Sequence, residues 1–210
     1  MSSDDAGKPR LFVIAAPSGA GKTTLVHALV NRRPDLRFSI SYTTREKRPN
    51  ERTGVDYLFV KPQEFERLRA AGDLLESAEV FDNFYGTSRR QVEKHLKDGH
   101  SVVLEIDWQG ARQVQKAMPG ARSIFVMPPS IPELERRLRS RGTDSEDVIE
   151  RRLRDALGDM SHWGEFDHVI INDELGEALE ALLAVVEGSG DETSTANPAL
   201  RGRVEQILAL

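Results

Sequence analysis

Apolar positions along the chain follow two rhythms. Short unbroken runs at Leu11–Ala15, 102–106, 123–127 and His168–Ile171 are rich in Val and Ile and bounded by polar residues, Gly or Pro, the signature of buried strands. Between them, apolar residues recur at helical spacing over 22–33, 88–98, 109–117, 131–141, 146–162 and 174–187. Strands alternating with helices predict parallel βαβ units, with helices on both faces of one sheet. Helix starts are also marked. Ser130 with Glu133 and Thr143 with Glu146 fit capping boxes, and Pro62 suits the first turn of a helix at 62–71.

Residues 36–87 break the alternation. Segments with β character at 38–42, 57–60 and 75–81 surround the helix at 62–71, which predicts a small, mostly antiparallel α+β insertion. The helical stretch at about 130–162 carries more arginine than a crossover needs and reads as a mobile lid. The predicted organisation is therefore a polar extension at 1–9, a domain at 10–187 (core 10–35 and 88–187) and a tail at 188–210. Within the tail, 188–198 is rich in Gly, Ser, Thr, Asp and Asn and reads as a flexible linker. Val204, Ile207, Leu208 and Leu210 then form either a short amphipathic helix, docked on the body or on a partner, or a frayed end.

Composition narrows the class. The 210 residues suffice for one sizeable core, and 30% charged with 39% apolar residues is a soluble globular balance. No apolar run approaches the roughly 20 residues that span a bilayer, and residues 1–9 lack the apolar stretch of a secretory leader. A cytoplasmic protein with no membrane partner is the expectation. The chain has no cysteine, which excludes disulfides, thiolate catalysis and Cys-ligated zinc. A net charge of −5 argues against broad nucleic-acid binding. Oligomeric state is not legible. Arginines nevertheless cluster at 45–52 and 136–154, pointing either to small anionic ligands or to solvated surface.

The run Ala16-Pro17-Ser18-Gly19-Ala20-Gly21-Lys22-Thr23 directly follows the first strand and opens the first helix. Strand, glycine-rich turn and helix make the setting of a phosphate-binding P-loop. Small residues let backbone N–H groups close around phosphate oxygens, and the helix N-terminus adds unpaired donors and its positive dipole end. Lys22 can reach the outer phosphates and the Thr23 hydroxyl can ligate Mg²⁺. Ala16 stands where the leading glycine is usual. The fold class is thus α/β, a P-loop NTPase-type parallel sheet with helices on both faces, an inserted small subdomain and a helical lid.

A P-loop does not name the acceptor. Arg45 and Arg48, three apart, can converge on one phosphate. Tyr57 and Tyr85 can either donate to phosphate oxygens or simply pack. Glu76 lies among Leu74, Leu75, Ala78, Val80 and Phe81. A carboxylate there can accept from guanine N1–H and N2–H together, with the Ser41 and Thr87 hydroxyls serving the O6 and N7 acceptors. Adenine lacks the second donor and would be discriminated against. Glu105 and Asp107 alternate onto one face at the end of a strand. Asp107 suits Mg²⁺ and Glu105 the acceptor base, unless one of them caps the following helix. Arg137 and Arg141 share a helix face, and Arg152 borders the stripe of Ile149, Leu153, Ala156 and Met160. These three are candidates to close on phosphates. Arg136, Arg139, Arg151 and Arg154 read as solvated.

Together with the P-loop, the segments Thr43-Thr44-Arg45-Glu46-Lys47-Arg48-Pro49, Gly54-Val55-Asp56-Tyr57, Asn83-Phe84-Tyr85-Gly86-Thr87, Leu104-Glu105-Ile106-Asp107-Trp108-Gln109-Gly110 and Ile170-Ile171-Asn172-Asp173 resemble the guanylate kinase family, in order, from about residue 10 to 187. The resemblance implies transfer of a phosphoryl group from ATP to GMP, with Mg²⁺. It implies ATP on Ala16, Pro17, Ser18, Gly19, Ala20, Gly21, Lys22, Thr23 and Thr24, with Asn172 near the adenosine. It further implies GMP on Ser41, Arg45, Arg48, Tyr57, Glu76, Tyr85, Thr87 and Glu105, so that the insertion is the GMP-binding subdomain. It picks the same three lid arginines. The rival readings are a phosphotransferase with another acceptor, a protein-binding module without activity, and a GTPase switch, for which no Asn-Lys-x-Asp motif is present. The expected behaviour of Lys22→Ala is that GMP binding persists while most turnover is lost, checked by GMP titration alongside an ADP-release assay.

Overall fold

The structure, a computed structural model, describes residues 8–80, 82–140 and 145–209. The predicted strand residue Phe81, the predicted lid arginine Arg141 and the predicted cap Thr143 lie outside the described residues. The strands are β1 (Leu11–Ala15), β2 (Arg37–Phe38), β3 (Tyr42–Thr43), β4 (Leu58–Phe59), β5 (Leu74–Val80), β6 (Asn83–Ser88), β7 (Val102–Glu105), β8 (Arg122–Met127) and β9 (His168–Ile171). The helices are α1 (Lys22–Arg32), α2 (Pro62–Ala70), α3 (Arg89–Lys97), α4 (Trp108–Ala117), α5 (Ile131–Arg139), α6 (Glu146–Met160), α7 (Leu175–Glu187) and α8 (Pro198–Leu208).

A five-stranded sheet runs in the order β2-β7-β1-β8-β9, with parallel pairing of β2 to β7 and of β8 to β9. Its three inner strands, β7, β1 and β8, and its edge strand β9 are the four continuous apolar runs, and β1 is buried along its whole length. A four-stranded sheet runs β4-β3-β6-β5, antiparallel except for β3 against β4. Two strands depart from the sequence pattern. The segment read as one strand at 38–42 is divided: Arg37–Phe38 pairs with β7 in the larger sheet, and Tyr42–Thr43 belongs to the smaller one. Asn83–Ser88 is an inner strand although its polar, Gly-containing sequence carries no apolar run. Its ladders to β3 and β5 define it, a tertiary effect that propensity does not register.

The chain divides into two compact units. One contains the chain up to Val13, Pro34–Leu104 and Gln109–Arg122. Its smaller sheet is backed by Phe65, Leu68 and Leu74, with Tyr42, Val60 and Phe84 packed around them. The other contains Ile14–Arg33, Glu105–Trp108 and Ser123–Leu210. Its fully buried side chains include Ile14, Leu25, Leu29, Phe125, Leu134, Leu138 and Met160. Ser130 caps α5 by accepting from the Glu133 amide, as predicted, while α6 begins with Ser145 at its cap position. No helix among the described residues is long and apolar enough to cross a membrane.

The segment read as a flexible linker is tied down at several points. The Thr195 amide donates to the Asp167 carbonyl at 3.0 Å, its hydroxyl donates to the Phe166 carbonyl at 2.7 Å, and Ser194 bridges to His168 on β9. This covers part of the edge strand, which otherwise offers unpaired backbone groups. α8 then buries Val204 at 0% and Ile207 at 5% exposure, and Arg201 lies over the Trp163 ring. Polar composition suggested a linker because it does not reveal which backbone groups find partners. A docked helix predicts that Ile207→Ala lowers stability by about 2 kcal/mol without changing turnover, read from urea midpoints; an undocked tail predicts no shift.

Candidate active site

Residues 16–21 join β1 to α1, and Gly19 and Gly21 both adopt the left-handed region, at φ +92° and +86°. A Cβ on Gly21 would lie 2.5 Å from Asn172 Nδ2, and one on Gly19 would lie 2.9 Å from Leu134 Cδ1. Both positions therefore demand glycine by backbone conformation and by space. Ala16, by contrast, is accommodated half-buried. The N-cap residue of α1 is Gly21, which has no side chain with which to cap the helix, so the amides of its first turn and its dipole act on whatever occupies the loop. Lys22 Nζ donates to the Ile106 carbonyl at 2.6 Å, and the Thr23 hydroxyl donates to Glu105 Oε1 at 2.5 Å.

Two further elements close on this loop within the same unit. Asn172, just past β9, is buried and donates from Nδ2 to the Ala20 carbonyl at 2.7 Å. α5 places Leu134 and Leu138 against Gly19, so the first half of the expected lid is packed on the phosphate loop. Arg137 Nε donates to Glu133 at 2.6 Å, and its other nitrogens donate to the carbonyls of Asn172 at 3.0 Å and Asp173 at 3.3 Å. Arg136 first, then Arg137, holds the Glu133 carboxyl at about 2. Arg152 is half-buried on α6. Arg136, Arg139, Arg151 and Arg154 are exposed and engage glutamates or aspartates on their own surface, as the sorting by helix face predicted.

The other unit gathers a second set. Arg45 reaches Glu51 at 2.6 Å and lies over the Tyr57 ring at 5.4 Å, and Tyr57 meets Tyr85 edge-on at 5.9 Å. The Arg48 amide donates to the other Glu51 oxygen at 2.8 Å, leaving the Arg48 side chain exposed. Glu76 on β5 stands opposite Thr87 on β6. Glu76 is 3% exposed, and the Thr87 hydroxyl donates to its Oε1 at 2.7 Å. Ser41, also buried, precedes β3.

The guanylate kinase family profile matches residues 8–189. The chain belongs to the guanylate kinase family. It is 56% identical over 180 residues to a guanylate kinase of Dechloromonas aromatica, covering 86% of this chain and 89% of that one. It is 47% identical over 205 residues to one of Vibrio parahaemolyticus, covering 97% and 99%. The crystal structure of guanylate kinase from Anaplasma phagocytophilum matches with a TM-score of 0.74 at 33% identity, covering 97% of both chains.

Within this guanylate kinase family fold, two side chains take different company from that expected of them. Glu105, read as facing the acceptor base, is joined to Thr23, because the strand ending at Glu105 delivers it beside the start of α1 in the same unit. Thr87, read as a donor to guanine O6 or N7, gives its single hydroxyl proton to Glu76 instead. Glu76 stands directly across the ladder, and a hydroxyl has one proton to give, which leaves Thr87 an acceptor in this arrangement. Sequence reasoning missed Glu51 altogether. It lies six residues after Arg45 in a loop, where no periodicity signals a pair; an acid inside a basic run was the available clue.

Also unforeseen is the cluster at the end of α6. Trp108 Nε1 donates to Asp159 at 3.0 Å, and its ring stacks on His162 with centroids 3.6 Å apart. Burial, above all, raises Asp159 from 3.8 to about 6; Asp107 and Asp155 add to the shift, while the Trp108 N–H and Lys22 oppose it. Between these values the folded protein holds a proton that the unfolded chain has released. Stability therefore falls as pH rises through that window, and the penalty is complete above it. Asp159→Asn, whose amide oxygen can still accept from Trp108, is expected to flatten that slope. It should stabilise the ligand-free protein at pH 8 by roughly 1–3 kcal/mol, read from urea midpoints at pH 4 and pH 8.

Proposed function

We propose that this protein transfers the γ-phosphoryl group of ATP to GMP, giving ADP and GDP. The observation that carries the acceptor assignment is the buried Glu76–Thr87 pair on β5 and β6. A carboxylate kept from water is stable only among donors, and guanine brings two on one edge, N1–H and N2–H. Adenine brings no matching pair, and unpaired buried groups are what give strong discrimination. Arg45, Arg48, Tyr57 and Tyr85 receive the acceptor phosphate, with Glu51 fixing the first arginine. Ala16 through Thr24 receive the ATP phosphates.

The chemistry needs little from a general base. The second pKa of a phosphate monoester is about 6, so the attacking oxygen is already largely ionised at neutral pH. The protein aligns the two nucleotides and neutralises charge as the phosphoryl group moves. Lys22, released from the Ile106 carbonyl, turns to the outer phosphates, and Arg137 and Arg152 neutralise the transferring group, with Arg141 assigned the same task. Closure over the reactants excludes water and suppresses ATP hydrolysis. The Thr23 hydroxyl with Glu105 beside it and the Asp107 carboxylate are hard oxygen donors of the kind Mg²⁺ prefers alongside phosphates. When bound there, Mg²⁺ would offset the negative charge of the ATP phosphates. The substrates are nucleotides of the cytoplasm, where we place the activity.

A comparison of GMP, IMP, AMP and dTMP as acceptors tests this reading. GMP should be strongly preferred, with IMP weaker because it lacks the exocyclic amine. Glu76→Gln should lower kcat/KM for GMP by about 10- to 100-fold. Use of AMP as readily as GMP would overturn the acceptor assignment.

A further inference from the structure

The peptide between Ala20 and Gly21 is the hinge at which the phosphate loop becomes helix α1. Peptide units are planar, and none among the described residues is cis, so the Ala20 carbonyl and the Gly21 N–H lie in one rigid plane and point in opposite directions. Whatever holds that carbonyl aims that amide. The holder is Asn172, whose Nδ2 donates to Ala20 O at 2.7 Å. Asn172 is itself 5% exposed, and its backbone amide donates to the Met127 carbonyl at 2.7 Å, so the carboxamide projects from a fixed point beside the sheet.

A tether is needed here. Gly19 and Gly21 both sit at positive φ, and glycine offers little steric resistance to rotation of the adjoining peptide plane. The same Nδ2 atom occupies the space that a Cβ at position 21 would require. The carbonyl of Asn172, in turn, accepts from Arg137, so one residue engages both the phosphate loop and an arginine of α5.

We propose that Asn172 is a positioning residue for the donor phosphates: by holding the Ala20 carbonyl it aims the Gly21 N–H at the ATP phosphate chain. It acts on the triphosphate through the loop, which is a different role from contact with the adenosine. The inference rests on residues 16–24 being the ATP site.

The discriminating probe is inorganic tripolyphosphate, which has the phosphates and no nucleoside. Its dissociation constant is measured by calorimetry on the full chain, wild type and Asn172→Ala, alongside KM for ATP and for GMP and the thermal midpoint. Expected is a parallel weakening of tripolyphosphate and ATP by about three- to tenfold, with KM for GMP unchanged. A loss confined to ATP would identify a base contact and overturn the proposal. So would unchanged affinity for both ligands, or an equal rise in KM for GMP, which would mark general damage. Asn172→Ser, too short to reach Ala20 O, carries the same comparison should the alanine variant not fold. Failure of the wild-type protein to phosphorylate GMP would sink the acceptor assignment while leaving the tripolyphosphate comparison intact.

Discussion

The proposed donor site depends on one constraint: α1 starts from a glycine that cannot cap it with a side chain, and the loop before it, with almost no side chains, must still hold one shape. Uncapped amides are costly unless a ligand or water satisfies them, and a loop with two left-handed glycines has many alternatives open to it. The surroundings answer both problems. β1 delivers the loop from a fully buried strand, α5 sets Leu134 and Leu138 against Gly19, and Asn172 grips the Ala20 carbonyl. Leu134 and Leu138 offer no polar atom from their side chains, and Asn172 gives its hydrogen bond to a carbonyl, so these side-chain groups hold the loop without accepting from its amides.

A parallel logic governs the charges. Arg45 is held by Glu51 and Arg137 by Glu133. An arginine already ordered by a carboxylate loses less conformational freedom when an anion arrives, which is how preorganisation raises affinity. Glu76 is the mirror case, a buried carboxyl group ordered by the Thr87 hydroxyl. The residues proposed for ATP and most of those proposed for GMP belong to different units, each with its own ordered ion pair or hydrogen-bonded acid. Glu105, an acid that motif reading grouped with the acceptor, is found with the donor loop.

Much of the architecture could be read from the pattern of residues. β1 and β9 coincide with their apolar runs, and each predicted helix is present within a residue or two of its expected ends. Long or unbroken patterns survive because burying a whole face outweighs local preferences. The weaker signals did not. β2 is two residues long, β6 has no apolar run, and the polar stretch at 188–198 does not show that its backbone is tied to 166–168. In each case pairing outside the segment defines it: β7 for β2, the distant β3 together with the adjacent β5 for β6, the 166–168 backbone for the tail.

The same division separates residue types from residue partners at the site. The chain alone determined which side chains are available: a Gly-Lys-Thr loop, paired arginines, a carboxylate among apolar neighbours, an Asn after the last strand. Chemistry of that kind is local and travels with the motif. Only the tertiary structure decided that Thr87 spends its proton on Glu76, that Glu105 meets Thr23, that Glu51 restrains Arg45, and that Asn172 holds a backbone carbonyl 152 residues away. A hydrogen bond depends on distances of tenths of an ångström, and those distances exist only once the loops and sheets have assembled.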